Sequence, residues 1–100
     1  MPEKLVRDRI PEIIRQDGGD PRVRVVSGTE LDKLIRLKIV EEAQELLTSG
    51  EDEEIADILE ALEALLVHRS IDRAAIDDAR LKKREERGGF EKGFVLETSE

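Results

Sequence analysis

No cysteine occurs in the 100 residues, which removes a disulfide framework, a thiolate zinc site and an iron–sulfur cluster from the chemistry open to this chain. Tryptophan, tyrosine and asparagine are also missing, and two phenylalanines are the whole aromatic content. The core must therefore be aliphatic, and the side chains that commonly stack on a nucleobase are lacking. Positive charge is in deficit as well, since 17 basic against 25 acidic side chains leave a formal net charge of -8. Nucleic-acid polymers and anionic membranes are bound through Lys and Arg, so neither is an expected partner. A phosphate ligand would need help, most simply from a divalent cation docked on carboxylates. No apolar run is long enough to cross a bilayer, and the opening "MPEKLVRDRI" has no apolar stretch of the kind a secretion signal requires. The expectation is a soluble, cytoplasmic protein.

What the chain has in abundance is charge, 42% of its residues, threaded through aliphatic positions. Its length suits one domain, 1–100, with a modest core. Pro11 fits the first residue of a short N-terminal helix, which "DGGDP" ends. The alternation in "RVRVVSG" predicts a short strand, with "GFVLET" near the C-terminus as its partner. Between them the pattern predicts three longer helices. Thr29 is placed to cap the first, with Asp32 as the reciprocal acid of a capping box, and "TSG" at 48–50 stops it. The second runs from about Glu51 to Val67, and the third from after Ser70 to Gly88 and Gly89. The expected fold is all-α, a helical bundle of three main helices plus the short N-terminal one, with one or two peripheral strands. So short a chain cannot cover three amphipathic stripes, and a homodimer or higher homo-oligomer completes the bundle.

The second long helix carries two kinds of acid. Ile55, Ile58, Leu59, Leu62, Leu65 and Leu66 form a continuous apolar stripe that reads as core. Glu54, Asp57, Ala61, Ala64 and His68 gather on a separate face, where the alanines admit a neighbouring helix. Glu53, Glu60 and Glu63 point a third way. On the first long helix Leu31, Leu34 and Ile35 are continued by Lys38, Glu42 and Glu45, whereas Ile39, Ala43, Leu46 and Leu47 form an apolar stripe on another side. Periodicity leaves open whether Glu42 and Glu45 face a site or solvent.

Acid pairs at i and i+3 carry no weight by themselves. Seven occur where about six are expected from the acidic fraction. What carries weight is two such pairs, Glu42 with Glu45 and Glu54 with Asp57, at the same end of one helical hairpin. Carboxylates converging there repel one another unless a cation sits among them. Oxygen ligands without His or Cys select Mg²⁺, or Mn²⁺ in its place, and such sites serve phosphate chemistry.

The run "KIVEEAQEL" followed by "EEIADIL" resembles the EExxE and ExxD motifs of the all-α nucleoside triphosphate pyrophosphohydrolases, the group that contains MazG, dimeric dUTPases and phosphoribosyl-ATP pyrophosphohydrolase. "KLVRDRIPEII" and "KKREERGGFEKGFVL" are similar to its small stand-alone, MazG-like members. The resemblance spans nearly the whole chain. It implies a dimeric helical bundle that binds Mg²⁺ through Glu42, Glu45, Glu54 and Asp57. It also implies cleavage of a nucleoside triphosphate between the α and β phosphates. Glu41, Glu42 and Glu45 become the carboxylates among which a water-activating base is sought. Lys38, Lys83, Arg87, Arg7 and Arg9 become candidate phosphate partners. Each has a plainer alternative: an ion pair of Lys38 with Glu42, salt bridges of Arg7 and Arg9 with Asp8 or Glu12, and helix-dipole compensation by Lys83 and Arg87. His68 lies away from the acids and is read as interfacial, not catalytic.

The function expected is thus a Mg²⁺-dependent pyrophosphohydrolase producing a nucleoside monophosphate and pyrophosphate, in the manner of nucleotide-pool house-cleaning. Two alternatives stand beside it, a phosphoribosyl-ATP pyrophosphatase and a noncatalytic helical module for dimerisation or partner binding.

Overall fold

A computed structural model describes residues 3–97, and these form four helices: α1 (Ile10–Gln16), α2 (Gly28–Ser49), α3 (Glu53–His68) and α4 (Arg73–Arg87). The chain divides into two compact units, Met1–Ser70 and Ile71–Glu100. No helix among the described residues is long and apolar enough to cross a membrane.

In the first unit α2 and α3 pack as an antiparallel hairpin. Its turn is set by Gly50, which ends α2 in the left-handed region at φ 67° while its N–H bonds the Leu46 carbonyl, a conformation that glycine adopts without steric cost. The Ser49 hydroxyl accepts from the Glu51 N–H at 3.1 Å. At the opposite end His68 Nε2 donates to the Gly28 carbonyl at 3.2 Å, and Arg69 grips Asp32 through two bonds of 2.7 and 3.0 Å. The hairpin is thus clamped at both ends, which fixes the register of the acidic residues between.

Three expectations are corrected. The first helix begins before Thr29, with Ser27 at its N-cap and no side-chain cap bond. Asp32 serves Arg69 and Arg36 instead, because two guanidinium partners bind a carboxylate more strongly than a single backbone N–H does. These bonds hold its carboxyl below the usual carboxylate range, Arg69 contributing most.

The second correction concerns the strands, since none occurs among the described residues. Strands require a backbone ladder, and residues 22–26 are pinned by a side chain. Arg24 bonds Glu3 at 2.9 Å and Glu30 at 2.6 Å, which leaves Val23 and Val25 exposed. Phe94, Val95 and Leu96 are exposed in the second unit, and Thr98 of "GFVLET" lies outside the described residues.

The third correction is the most consequential. On α3 only part of the apolar stripe is covered, because Ile55, Leu59 and Leu62 are exposed, Leu59 by 53%, while Ile58, Leu65 and Leu66 are half-buried. The side turned to α2 is the one that carries Ala61, with Glu54, Asp57, Ala64 and His68 partly covered beside it. Small residues allow two helix backbones to approach where leucines would hold them apart. Ile35 and Ala61 are the buried apolar residues among those described.

The second unit is organised about α4. Asp72 caps it, its carboxylate accepting from the Ala74 N–H at 3.0 Å, and Arg84 pairs with Glu91 past the helix end. Lys83 and Arg87 both lie on α4.

Candidate metal centre

Two overlapping sets of carboxylates meet in the α2–α3 hairpin. Glu41, Glu42 and Glu45 form one, Glu42, Glu54 and Asp57 the other, and within each set one oxygen per residue lies within 4.8 Å of the rest. Glu42 belongs to both. It is 93% buried, with a residual exposure of 7%, an uncommon position for a carboxylate.

The details of its surroundings matter more than its depth. Lys38 Nζ stands 3.4 Å from Glu42 Oε1, but Glu42 Oε2 is buried with no hydrogen-bond partner, and so is Glu54 Oε2. An unsatisfied buried acceptor costs about 1–3 kcal/mol, more when charged. Burial pushes the Glu42 carboxyl above its ordinary range, and the charges of Glu45 and Asp57 push the same way against Lys38. These two orphaned oxygens belong to residues of one set, and a hard cation that takes oxygen ligands fits them. The balance of charge agrees. Five carboxylates face three cations, Lys4, Arg7 and Lys38, an excess that one divalent ion cancels.

The cations reveal how the N-terminal segment is used. Arg7 Nη2 lies 2.8 Å from Asp57 Oδ1, fifty residues away in sequence. Lys4 reaches Glu41 at 3.5 Å, and Lys38 touches Glu41 as well as Glu42, both at 3.4 Å. Arg9 instead pairs with Glu12 at 3.3 Å, the plainer alternative for that residue. Of the residues singled out from the sequence, Glu42, Glu54 and Asp57 lie together and Glu45 adjoins them through Glu42, whereas Lys4 was not among them. The only available signal for Lys4 was its place in the charged cluster "KLVRDR".

A cavity of about 770 Å³ opens from this cluster. Arg7, Lys38, Glu42 and Asp57 line one end, and His68 lies at the other. Lys83 and Arg87 belong to the second unit.

No family model, no curated protein and no solved structure matches the chain.

Proposed function

We propose that the chain is a Mg²⁺-dependent nucleoside triphosphate pyrophosphohydrolase of the all-α, MazG-like kind. The observation that carries this reading is the pair of orphaned oxygens, Glu42 Oε2 and Glu54 Oε2, in a cluster with Asp57. Glu42, Glu54 and Asp57 would hold the ion, with Glu45 beside Glu42, and Mn²⁺ suits the same oxygen donors. A divalent ion there supplies Lewis-acid polarisation of phosphoryl oxygens and an acidified water.

The protein's own groups provide the rest. Lys38 and Arg7, already at the mouth of the cluster, neutralise phosphate oxygens, and Lys4 can exchange Glu41 for the same task. Glu45 is exposed and forms no ion pair among the described residues, so its carboxylate is free to take a proton from the attacking water. Cleavage of the α–β anhydride yields monophosphate and pyrophosphate, a reaction suited to clearing surplus or nonstandard nucleotides in the cytoplasm. Phosphoribosyl-ATP is an alternative substrate of the same chemistry.

The exposed stripe Ile55, Leu59 and Leu62, with Leu37 and Val40 of α2 also exposed, supports a homodimer. Two aliphatic faces of this kind cover each other by the hydrophobic effect. It equally favours the second reading, a noncatalytic dimerisation module.

Incubation with Mg²⁺ and a panel of nucleoside triphosphates, with pyrophosphate and orthophosphate assayed separately, tests the proposal. Pyrophosphate release that EDTA and Glu42→Gln abolish is expected. No turnover of any nucleotide, together with no thermal shift by Mg²⁺, would leave the dimerisation module as the reading.

A further inference from the structure

The carboxylates of the set formed by Glu42, Glu54 and Asp57 are not equally open to an ion. Glu42 and Glu54 each keep one buried oxygen without a partner. Asp57 is already taken, since Arg7 Nη2 donates to its Oδ1 at 2.8 Å. An entering ion therefore finds oxygens vacant on two of its ligands and the third ligand held by a cation from outside the hairpin.

The segment that delivers Arg7 carries no regular structure, and among the described residues the backbone of 3–6 forms no hydrogen bond. Side chains hold it on one side of Arg7: Glu3 accepts from Arg24 through two bonds of 2.9 Å, Lys4 lies 3.5 Å from Glu41, and Leu5 is half-buried. On the other side the Arg7 carbonyl accepts from the Ile10 N–H at 3.0 Å, at the entry to α1. The backbone at Arg7 is thus anchored from both directions. Its side chain is 57% exposed and lines the same cavity as Asp57, so the guanidinium can turn away from Asp57 while the chain stays in place.

A divalent ion and a guanidinium on one carboxylate repel each other at short range. We propose that Arg7 is an exchangeable occupant of Asp57: it holds the carboxylate while no metal is bound, leaves it when a divalent ion takes Asp57 as a ligand, and only then is free to meet an anion in the cavity. The inference rests on the metal-site reading above and adds to it an order of events, ion first and anion second. An ion pair exposed to this degree is favoured only a few-fold over its open form. With the pair closed about four-fifths of the time, the apparent affinity for the ion is about fivefold below its intrinsic value.

The test reads the guanidinium and the ion separately. In nitrogen NMR spectra of the isotope-labelled chain, a paired guanidinium turns slowly about its Nε–Cζ bond and shows its two Nη atoms apart, whereas a free one shows their average. Arg7 is expected to be split in EDTA and averaged in saturating Mg²⁺. Arg24, which keeps Glu3 and Glu30, should stay split in both and serves as the internal standard. Asp57→Asn should average the Arg7 signal already in EDTA. In an electron paramagnetic resonance titration Arg7→Gln should bind Mn²⁺ about fivefold more tightly than the wild type. Arg9 lines the same cavity but pairs with Glu12, so Arg9→Gln should change Mn²⁺ affinity less than about twofold, the effect of an exposed charge screened by salt. Equal or weaker Mn²⁺ binding by Arg7→Gln, or an Arg7 signal that stays split when Mg²⁺ is bound, overturns the exchange and leaves the metal site standing. A wild-type chain that binds no Mn²⁺ overturns the metal site and the exchange with it.

Discussion

Glu42→Gln should reverse the order of stability between two conditions. Without metal the wild-type carboxylate is 93% buried with an unpartnered Oε2 and with Glu45 and Asp57 nearby. Glutamine removes the charge and turns one oxygen into a donor facing carboxylates, at the cost of the 3.4 Å pairing with Lys38. Relief of one unsatisfied buried acceptor is worth about 1–3 kcal/mol, and because Lys38 keeps Glu41 as a partner, loss of its contact with Glu42 returns only about 1 kcal/mol. The net is a gain of about 1 kcal/mol, roughly 4–8 °C in Tm for a chain this size. With Mg²⁺ at 100 times Kd the wild type gains about 2.7 kcal/mol and overtakes the variant, which gains little. Acidity supplies a second check. The folded carboxyl of Glu42 is raised above its ordinary value of 4.5, so its contribution to stability is full below that value and is lost as pH rises through the folded pKa. The stability gap between variant and wild type should therefore close as pH is lowered toward 4.5. Circular-dichroism melts of both proteins, in EDTA and in Mg²⁺, decide the matter. A variant less stable than wild type in EDTA, or an equal Mg²⁺ shift in both, would refute the argument.

Other outcomes follow from single contacts. Leu59→Glu with Leu62→Glu should convert the proposed dimer to monomer in sedimentation equilibrium, since both positions are exposed in the isolated chain; an unchanged mass would remove that face as the interface. Gly50→Ala should cost about 1–2 kcal/mol in urea unfolding, because alanine resists the left-handed conformation at φ 67°. Asp72→Ala should cost about 1 kcal/mol of α4 stability through loss of the bond to the Ala74 N–H, read as reduced helicity and accelerated amide exchange in the first turn. The lowered carboxyl of Asp32 contributes stability above its unfolded value of 3.8 that disappears as pH falls through the folded pKa. Asp32→Asn should flatten that part of the acid-unfolding curve, and an unaltered curve would show that the Arg69 bonds do not persist in solution.

Much of the fold was legible locally. Pro11, the "TSG" at 48–50, Gly88 with Gly89 and the spacing of aliphatic residues mark where helices start and stop, because caps and turns depend on neighbours within a few residues. The strands were misread because alternation at Val23 and Val25 describes a side-chain pattern and says nothing of a backbone partner. Here Arg24 met Glu3 and Glu30 instead. The α3 stripe was assigned to the core for a related reason. A hydrophobic face announces that it needs cover but not whether its own chain or another provides it.

By itself the sequence determined the all-helical class, the anionic surface, the absence of thiol chemistry and the placing of two acid pairs at one end of a hairpin, all consequences of composition and helical period. Only the tertiary structure decided that Ala61 is the buried residue of α3 while Ile55, Leu59 and Leu62 stay exposed, that Glu42 is buried with an oxygen unsatisfied, and that Lys4 and Arg7 reach Glu41 and Asp57. Those facts depend on how closely two helices approach and on where a distant segment crosses them, and contacts of that kind leave no period in the chain to be read.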